Sequence, residues 1–259
     1  MKEEVERLPI LRVTEQGSTQ IEDMLVRELP LTILLNNQEV VTLLCSPTNL
    51  DYLAIGCLFS EGLIKGKEEI KKIKVDEQRG VVWVETEGDK LANEPLFKPL
   101  IASGGGKGAS LYSAPSQAKV ESQIKVSSQE VFTLMGEFVQ RSQVFKVTGG
   151  THCAALADSK SILAFSEDIG RHNAIDKIFG ECILKDMPTD DRIVITSGRV
   201  SSEILLKVAK RNIPILISKA APTDLGVRLA DSLGITLIGF VRGKRMNIYT
   251  NSWRVRTDA

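Results

Sequence analysis

The stretch RIVITSGRVSSEILLKVAKRNIPILISKAAPTDLGVRLADSLGITLIGF, residues 192–240, decides the fold. Three short apolar runs, RIVITS, IPILIS and ITLIGF, alternate with SSEILLKVAKRN and TDLGVRLADSLG, whose apolar residues recur at helical spacing. Strands that are apolar along their whole length are buried on both faces, and strands separated by helices pair in parallel through right-handed crossovers. The pattern predicts an α/β sandwich. In such a sheet, ligands gather beyond the carboxyl ends of the strands. Those ends carry Ser197, Gly198 and Arg199, then Ser218, Lys219, Pro222 and Thr223, and then Gly239 and the run Phe240, Val241, Arg242, Gly243, Lys244 and Arg245. Free amides at a helix start attract phosphate, and Arg199, Arg242, Lys244 and Arg245 can add charge-assisted contacts. The same residues also suit ordinary solvated loops, and spacing alone does not choose between the two.

Upstream, VFKVTGGTHCAALAD and SILAFSED read as strands, and a helix begins near Arg171 with Ile175, Ile178, Phe179, Cys182 and Ile183 inward. Ser127 and Glu130 form a capping box before Val131, Leu134, Met135, Phe138 and Val139 at helical spacing. Further back, LPLTILL and QEVVTLLC flank Asn36 and Asn37 as a hairpin. Leu50, Leu53, Ala54, Cys57 and Leu58 mark a helix ending near Gly62, and IKKIKVDE and GVVWVETEG form a second hairpin. Between about 88 and 126 the periodicity fades into a Gly, Ser, Ala, Lys and Pro-rich segment. The expected organisation is a smaller α+β part over 1–126 and an α/β domain over 127–259.

Lys plus Arg and Asp plus Glu number 33 each, so no net field favours nucleic acid or an anionic membrane. The charged start MKEEVERLPILRV lacks a secretory signal core, and no apolar run approaches the roughly 18 residues that span a bilayer, so a cytoplasmic protein is expected. Cys45, Cys57, Cys153 and Cys182 lie far apart with no CxxC pair, which argues against a disulfide scaffold or a zinc site. Exposed loops and apolar faces permit a homodimer.

SGGGKGAS, residues 103–110, fails the P-loop pattern, because Lys107 precedes Gly108 and position 101 is Ile. It is either a binding loop or a flexible surface loop. The two histidines, His152 and His172, stand in GGTHCAA and EDIGRHNAID. Near-neutral titration suits either for proton transfer or anion capture, and either can equally be a satisfied structural group. His172 has the stronger context, a helix start beside Glu167, Asp168, Arg171 and Asn173. An imidazolium lowers the pKa of a nearby thiol, so Cys153 beside His152 is a candidate nucleophile. Against this, neighbouring residues on a strand point to opposite faces. A zinc deaminase would show H-x-E and P-C-x-x-C, and neither is present.

With these residues in view, the chain resembles the formate dehydrogenase accessory protein family, the sulfur carriers called FdhD. The resemblance rests on ELPLTILLN, SPTNLDYLAIGCLFSEGLI, TGGTHCAAL, EDIGRHNAIDKIFG, TSGRVSSEILLKVAKRNIPILISKAAPTDLGVRLA and LIGFVRGKRMNIYT, in that order. It implies a cytidine-deaminase-like α/β/α sandwich without zinc in the C-terminal half. It also implies a cytoplasmic protein that takes sulfur as a persulfide from a cysteine desulfurase. The sulfur passes to the bis-guanine-dinucleotide molybdenum cofactor, which is bound as cargo and delivered to formate dehydrogenase. The family's cofactor-binding segment falls on Phe240, Val241, Arg242, Gly243, Lys244 and Arg245, and Ser197, Arg199 and His172 join it as candidates. The family's loop typically reads S/T-G-C-G-x-C-G or keeps just the first cysteine, so by this resemblance Gly105 stands in place of the sulfur-bearing cysteine and Gly108 in place of its companion. Sulfane sulfur needs a thiolate, and glycine has none. Three readings stay open: the cofactor is bound without sulfur transfer, Cys153 has taken over, or the loop residues are not the natural ones. A nucleotide-modifying hydrolase on a deaminase-like scaffold is the alternative from another class.

Overall fold

A computed structural model describes residues 4–87 and 119–257. The chain begins with a ribbon of two antiparallel strands, β1 (Val5–Thr14) and β2 (Gly17–Val26), which pair only with each other. The sequence reading missed it. Charges at Glu6, Arg7, Arg12, Glu22 and Asp23 break the apolar alternation that marks a half-buried strand.

Next come β3 (Leu29–Leu35), β4 (Gln38–Cys45), α1 (Leu50–Glu61), β5 (Ile70–Asp76) and β6 (Val81–Thr86). Asn36 and Asn37, at φ 49° and 66°, make the tight turn between β3 and β4, as expected for residues that tolerate the left-handed region. The four strands form one sheet in the order β4-β3-β6-β5. Leu31, Ile33, Leu35, Val82 and Val84 pack on Leu53, Ala54 and Leu58 of α1.

The second half comprises β7 (Val126–Ser127), α2 (Ser128–Arg141), α3 (Gln143–Thr148), β8 (His152–Ala157), β9 (Ile162–Asp168), α4 (Arg171–Leu184), β10 (Ile193–Thr196), α5 (Ser202–Lys210), β11 (Ile215–Ser218), α6 (Asp224–Ser232), β12 (Thr236–Arg242), β13 (Arg245–Ile248) and β14 (Val255–Arg256). The capping box of α2 is formed: Glu130 N donates to Ser127 Oγ, and Ser127 N donates to the Glu130 carboxylate. The VFKVT run, expected as a strand, is helical in α3. The Glu167 carboxylate accepts from the Val144 and Phe145 amides at 3.0 and 2.9 Å, a tertiary cap that no local pattern announces.

The main sheet runs β13-β12-β11-β10-β8-β9. Its centre, β10, β11 and β12, is parallel as predicted, while β8, β9 and β13 are antiparallel additions. Ala154, Leu156, Val194, Leu216 and Leu237 face the core shared with α4, α5 and α6. Ala155, Ile193, Ile195, Ile215 and Ile217 face α2 on the other side, so helices cover both faces.

The two halves meet where α1 packs on α4. A Cβ at Gly56 would strike the Asp176 carbonyl, and one at Gly180 would strike that of Tyr52. Glycines inside helices cost about 1 kcal/mol each, so their presence here marks a close backbone approach. Residues 119–126 lie against the C-terminal part: Val120 N donates to Leu233 O, and buried Arg254 donates to Val120 O and Ser122 O. Among the described residues, no helix is long and apolar enough to cross a membrane.

Candidate anion-binding rim

The three loops at the carboxyl ends of β10, β11 and β12 are tied into one rim. Lys219 N donates to Thr196 O (3.1 Å), Val200 N to Ala221 O (3.1 Å), Thr223 N to Val200 O (2.9 Å) and Phe240 N to Ala220 O (3.1 Å). The Ser218 hydroxyl donates to Gly198 O at 2.8 Å. Phe240 sits at φ 53°, a conformation costly for an aromatic residue and held here by its neighbours. The segment 240–245 is not a loop leading to a helix. It is the end of β12, a turn with Gly243 at φ 58°, and the start of β13, and it places Arg242, Gly243, Lys244 and Arg245 on an exposed hairpin. The Arg242 guanidinium lies 5.9 Å from the centre of the Phe240 ring.

The opposite side of the rim comes from β8 and the start of α4. Ser197 Oγ accepts from Cys153 N at 2.9 Å and lies 3.2 Å from His152 Nδ1. A Cβ at Gly198 would sit 2.9 Å from Arg171 Cβ and 3.0 Å from its Cδ, so this glycine makes room for the arginine stem. Burial, and then the nearby Arg199 charge, press the Arg171 pKa below its ordinary value, and its buried Nε has no hydrogen-bond partner. His172 is only 8% exposed, and its Nε2 stands 3.5 Å from a Glu203 oxygen. Burial, followed by Lys207, Arg171 and His152, pushes its pKa down to about 3, so the ring is neutral at physiological pH. His152 is shifted the same way, by burial and then by Arg171. The structure thus draws Ser197, Arg199 and His172 to one rim, and it adds Arg171 and His152. Arg171 is legible in the sequence only as a neighbour of His172, whereas His152 is a candidate there for proton transfer or anion capture without being placed with the cofactor-binding candidates. Both α4 and α5 begin without a side-chain cap, which leaves their first-turn amides open.

The rest of EDIGRHNAIDK is scaffold. Asp168 accepts from the Ser46 and Gly170 amides and from the Asn173 side chain, and pairs with Lys177 at 2.7 Å with both side chains fully buried. Asp176 accepts from the Ser60 hydroxyl at 2.6 Å and pairs with Lys207. These contacts tie the N-terminal half to α4 and hold Arg171 and His172 at the rim.

The family model for the FdhD/NarQ family matches residues 26–256. This chain belongs to the FdhD/NarQ family. Among its relatives, a sulfur carrier protein FdhD from Bacillus subtilis is 44% identical, covering 93% of this chain and 94% of the relative. A second, from Bacillus pumilus, is 42% identical over 90% of each. A crystal structure described as a formate dehydrogenase accessory protein from Desulfotalea psychrophila superposes with a TM-score of 0.81 at 26% identity, covering 97% of this chain and 99% of that one.

The relatives' description as sulfur carrier proteins directs attention to the thiols. Gly105 and Gly108 lie outside the described residues. All four cysteines lie inside them, and all four are buried and unpaired by disulfides. Cys153, 2% exposed, points away from His152, toward Ser142 Oγ at 3.1 Å, as strand alternation requires. Burial above all pushes Cys45 and Cys153 up to about 12 and Cys182 up to about 11, and raises Cys57 as well. A thiol so shifted is a poor nucleophile at neutral pH, because the thiolate is the reactive form. Among the described residues, no group of three His, Cys, Asp or Glu side chains converges to hold a metal ion.

Proposed function

We propose that this protein is a formate dehydrogenase accessory protein that binds the bis-guanine-dinucleotide form of the molybdenum cofactor and assists its sulfuration or delivery to the dehydrogenase. The observation that carries this reading is the rim itself. Two uncapped helix starts, the guanidiniums of Arg171 and Arg199, and two histidines surround one edge of the main sheet. Such an edge suits pyrophosphate, because open amides and fixed cations replace the water that phosphate would lose. The deaminase-like description of the sandwich, the use of Arg242, Lys244 and Arg245 on cargo, and a second copy of the chain as partner belong to the same proposal. With all four thiols buried, the protein's part is to hold the sulfur acceptor, while a cysteine desulfurase supplies the sulfur. No observation favours the nucleotide-modifying hydrolase.

Calorimetric titration with GDP tests the rim. Binding is expected, with Arg171→Ala weakening it roughly tenfold, the size of one lost charge-assisted contact. Absence of GDP binding, or binding indifferent to Arg171→Ala and to Arg242→Ala alike, would overturn the assignment. Incubation with a desulfurase and sulfur-labelled cysteine tests the second part. The chain is expected to retain no covalent label, and label that disappears in Cys153→Ser would return the chemistry to that thiol.

A further inference from the structure

Among the described residues of this rim, Glu203 has a carboxylate that accepts no hydrogen bond. Glu167 is held by the Val144 and Phe145 amides and the Thr151 hydroxyl, and Asp168 by Lys177, Ser46, Gly170 and Asn173. Glu203, in the first turn of α5, has a side chain 42% exposed, with one oxygen 3.5 Å from His172 Nε2. His172 is more than nine-tenths buried, and that nitrogen has no hydrogen-bond partner. Arg171 precedes His172 at the start of α4 and its stem packs on Gly198, the residue before Arg199, so the carboxylate and the two arginines stand at one corner.

A phosphate gains nothing from a carboxylate there, since the two repel. A guanine base uses all of it. Its N1–H and 2-amino group present two donors side by side, which a carboxylate accepts, and its O6 and N7 accept from an arginine fork. We infer that Glu203 selects guanine at this rim and that His172 is the positioning residue that orients its carboxylate. The inference rests on the cofactor-binding reading above. Because burial keeps His172 neutral, its ring offers Glu203 an N–H without forming an ion pair that would cancel the carboxylate's charge.

Binding of GDP, inosine diphosphate and inorganic pyrophosphate to the full chain tests this. Inosine diphosphate keeps O6, N7 and N1–H but lacks the 2-amino group. The wild-type protein is expected to prefer GDP over inosine diphosphate roughly tenfold, and Glu203→Gln to bring the two within about twofold while pyrophosphate affinity does not fall, since the variant removes a carboxylate that repels it. His172→Gln is expected to reduce the preference partway, with pyrophosphate unaffected. Equal binding of both nucleotides by the wild type, or a preference that survives Glu203→Gln and Glu203→Ala, would overturn the role of Glu203 and leave the rim standing. Failure of the wild type to bind any of the three would bring down the rim and this inference together. The wild-type nucleotide ratio does not depend on how well any variant folds.

Discussion

Arg171 and Lys177 stand on the same helix and serve different ends. Arg171 opens toward the rim, whereas Lys177 is fully buried against Asp168 and also donates to Ser46 O at 3.2 Å. Removing one member of a buried pair leaves an uncompensated charge, a loss of about 3–5 kcal/mol. Lys177→Met is therefore expected to lower the unfolding free energy read from urea titration by that order while GDP affinity per folded molecule holds. Arg171→Ala should instead weaken GDP binding and leave the unfolding free energy nearly unchanged. A Lys177→Met chain as stable as the wild type would show that the pair does not tie the halves together. EDIGRHNAIDK was legible as an unusual motif from its density of acids, bases and one histidine. Its division into scaffold and site was not, because that depends on whether each side chain meets Ser46 and Ser60 from the other half or the open rim.

At the scale of elements, strand and helix periods decided most of the architecture, and the exceptions have identifiable causes. The capping box of α2 and the Asn36-Asn37 turn are local devices and appear where local chemistry places them. The helix α3 is not local, since its start is capped by Glu167 from β9. The α1–α4 crossing is likewise set by tertiary contact, through Gly56 and Gly180. Gly56→Ala and Gly180→Ala each force a methyl into a backbone carbonyl, and overpacking of this kind costs about 1–3 kcal/mol despite the better helix propensity of alanine. Both variants are expected to lower the thermal midpoint, whereas Gly136→Ala, where a Cβ would meet open space on α2, should raise it slightly. Equal stability across the three would show that the helices can separate without penalty.

For the whole molecule, buried titratable groups set the pH range of stability. The folded-state pKa of His172 lies near 3 against an ordinary 6.5, so the unfolded chain takes up its proton first, and stability falls as pH drops from 6.5 toward 3. Cys45 and Cys153 lie near 12 against 9.0, so the unfolded chain loses those protons first, and stability falls as pH rises from 9.0 toward 12. The thermal midpoint is expected to be highest between these limits, and His172→Gln should flatten the upper part of the acid limb. An acid limb that keeps its slope in that variant would assign the loss to other groups. By itself the sequence determined the α/β class, the parallel centre of the main sheet and the loops at the carboxyl ends of its strands, because strand and helix periods follow from burial along a continuous chain. Only the tertiary structure decided that β8 and α4 complete the rim with His152 and Arg171, that 240–245 is a hairpin, and that Glu203 faces His172. Those are meetings between residues distant in the chain, and no local spacing encodes them.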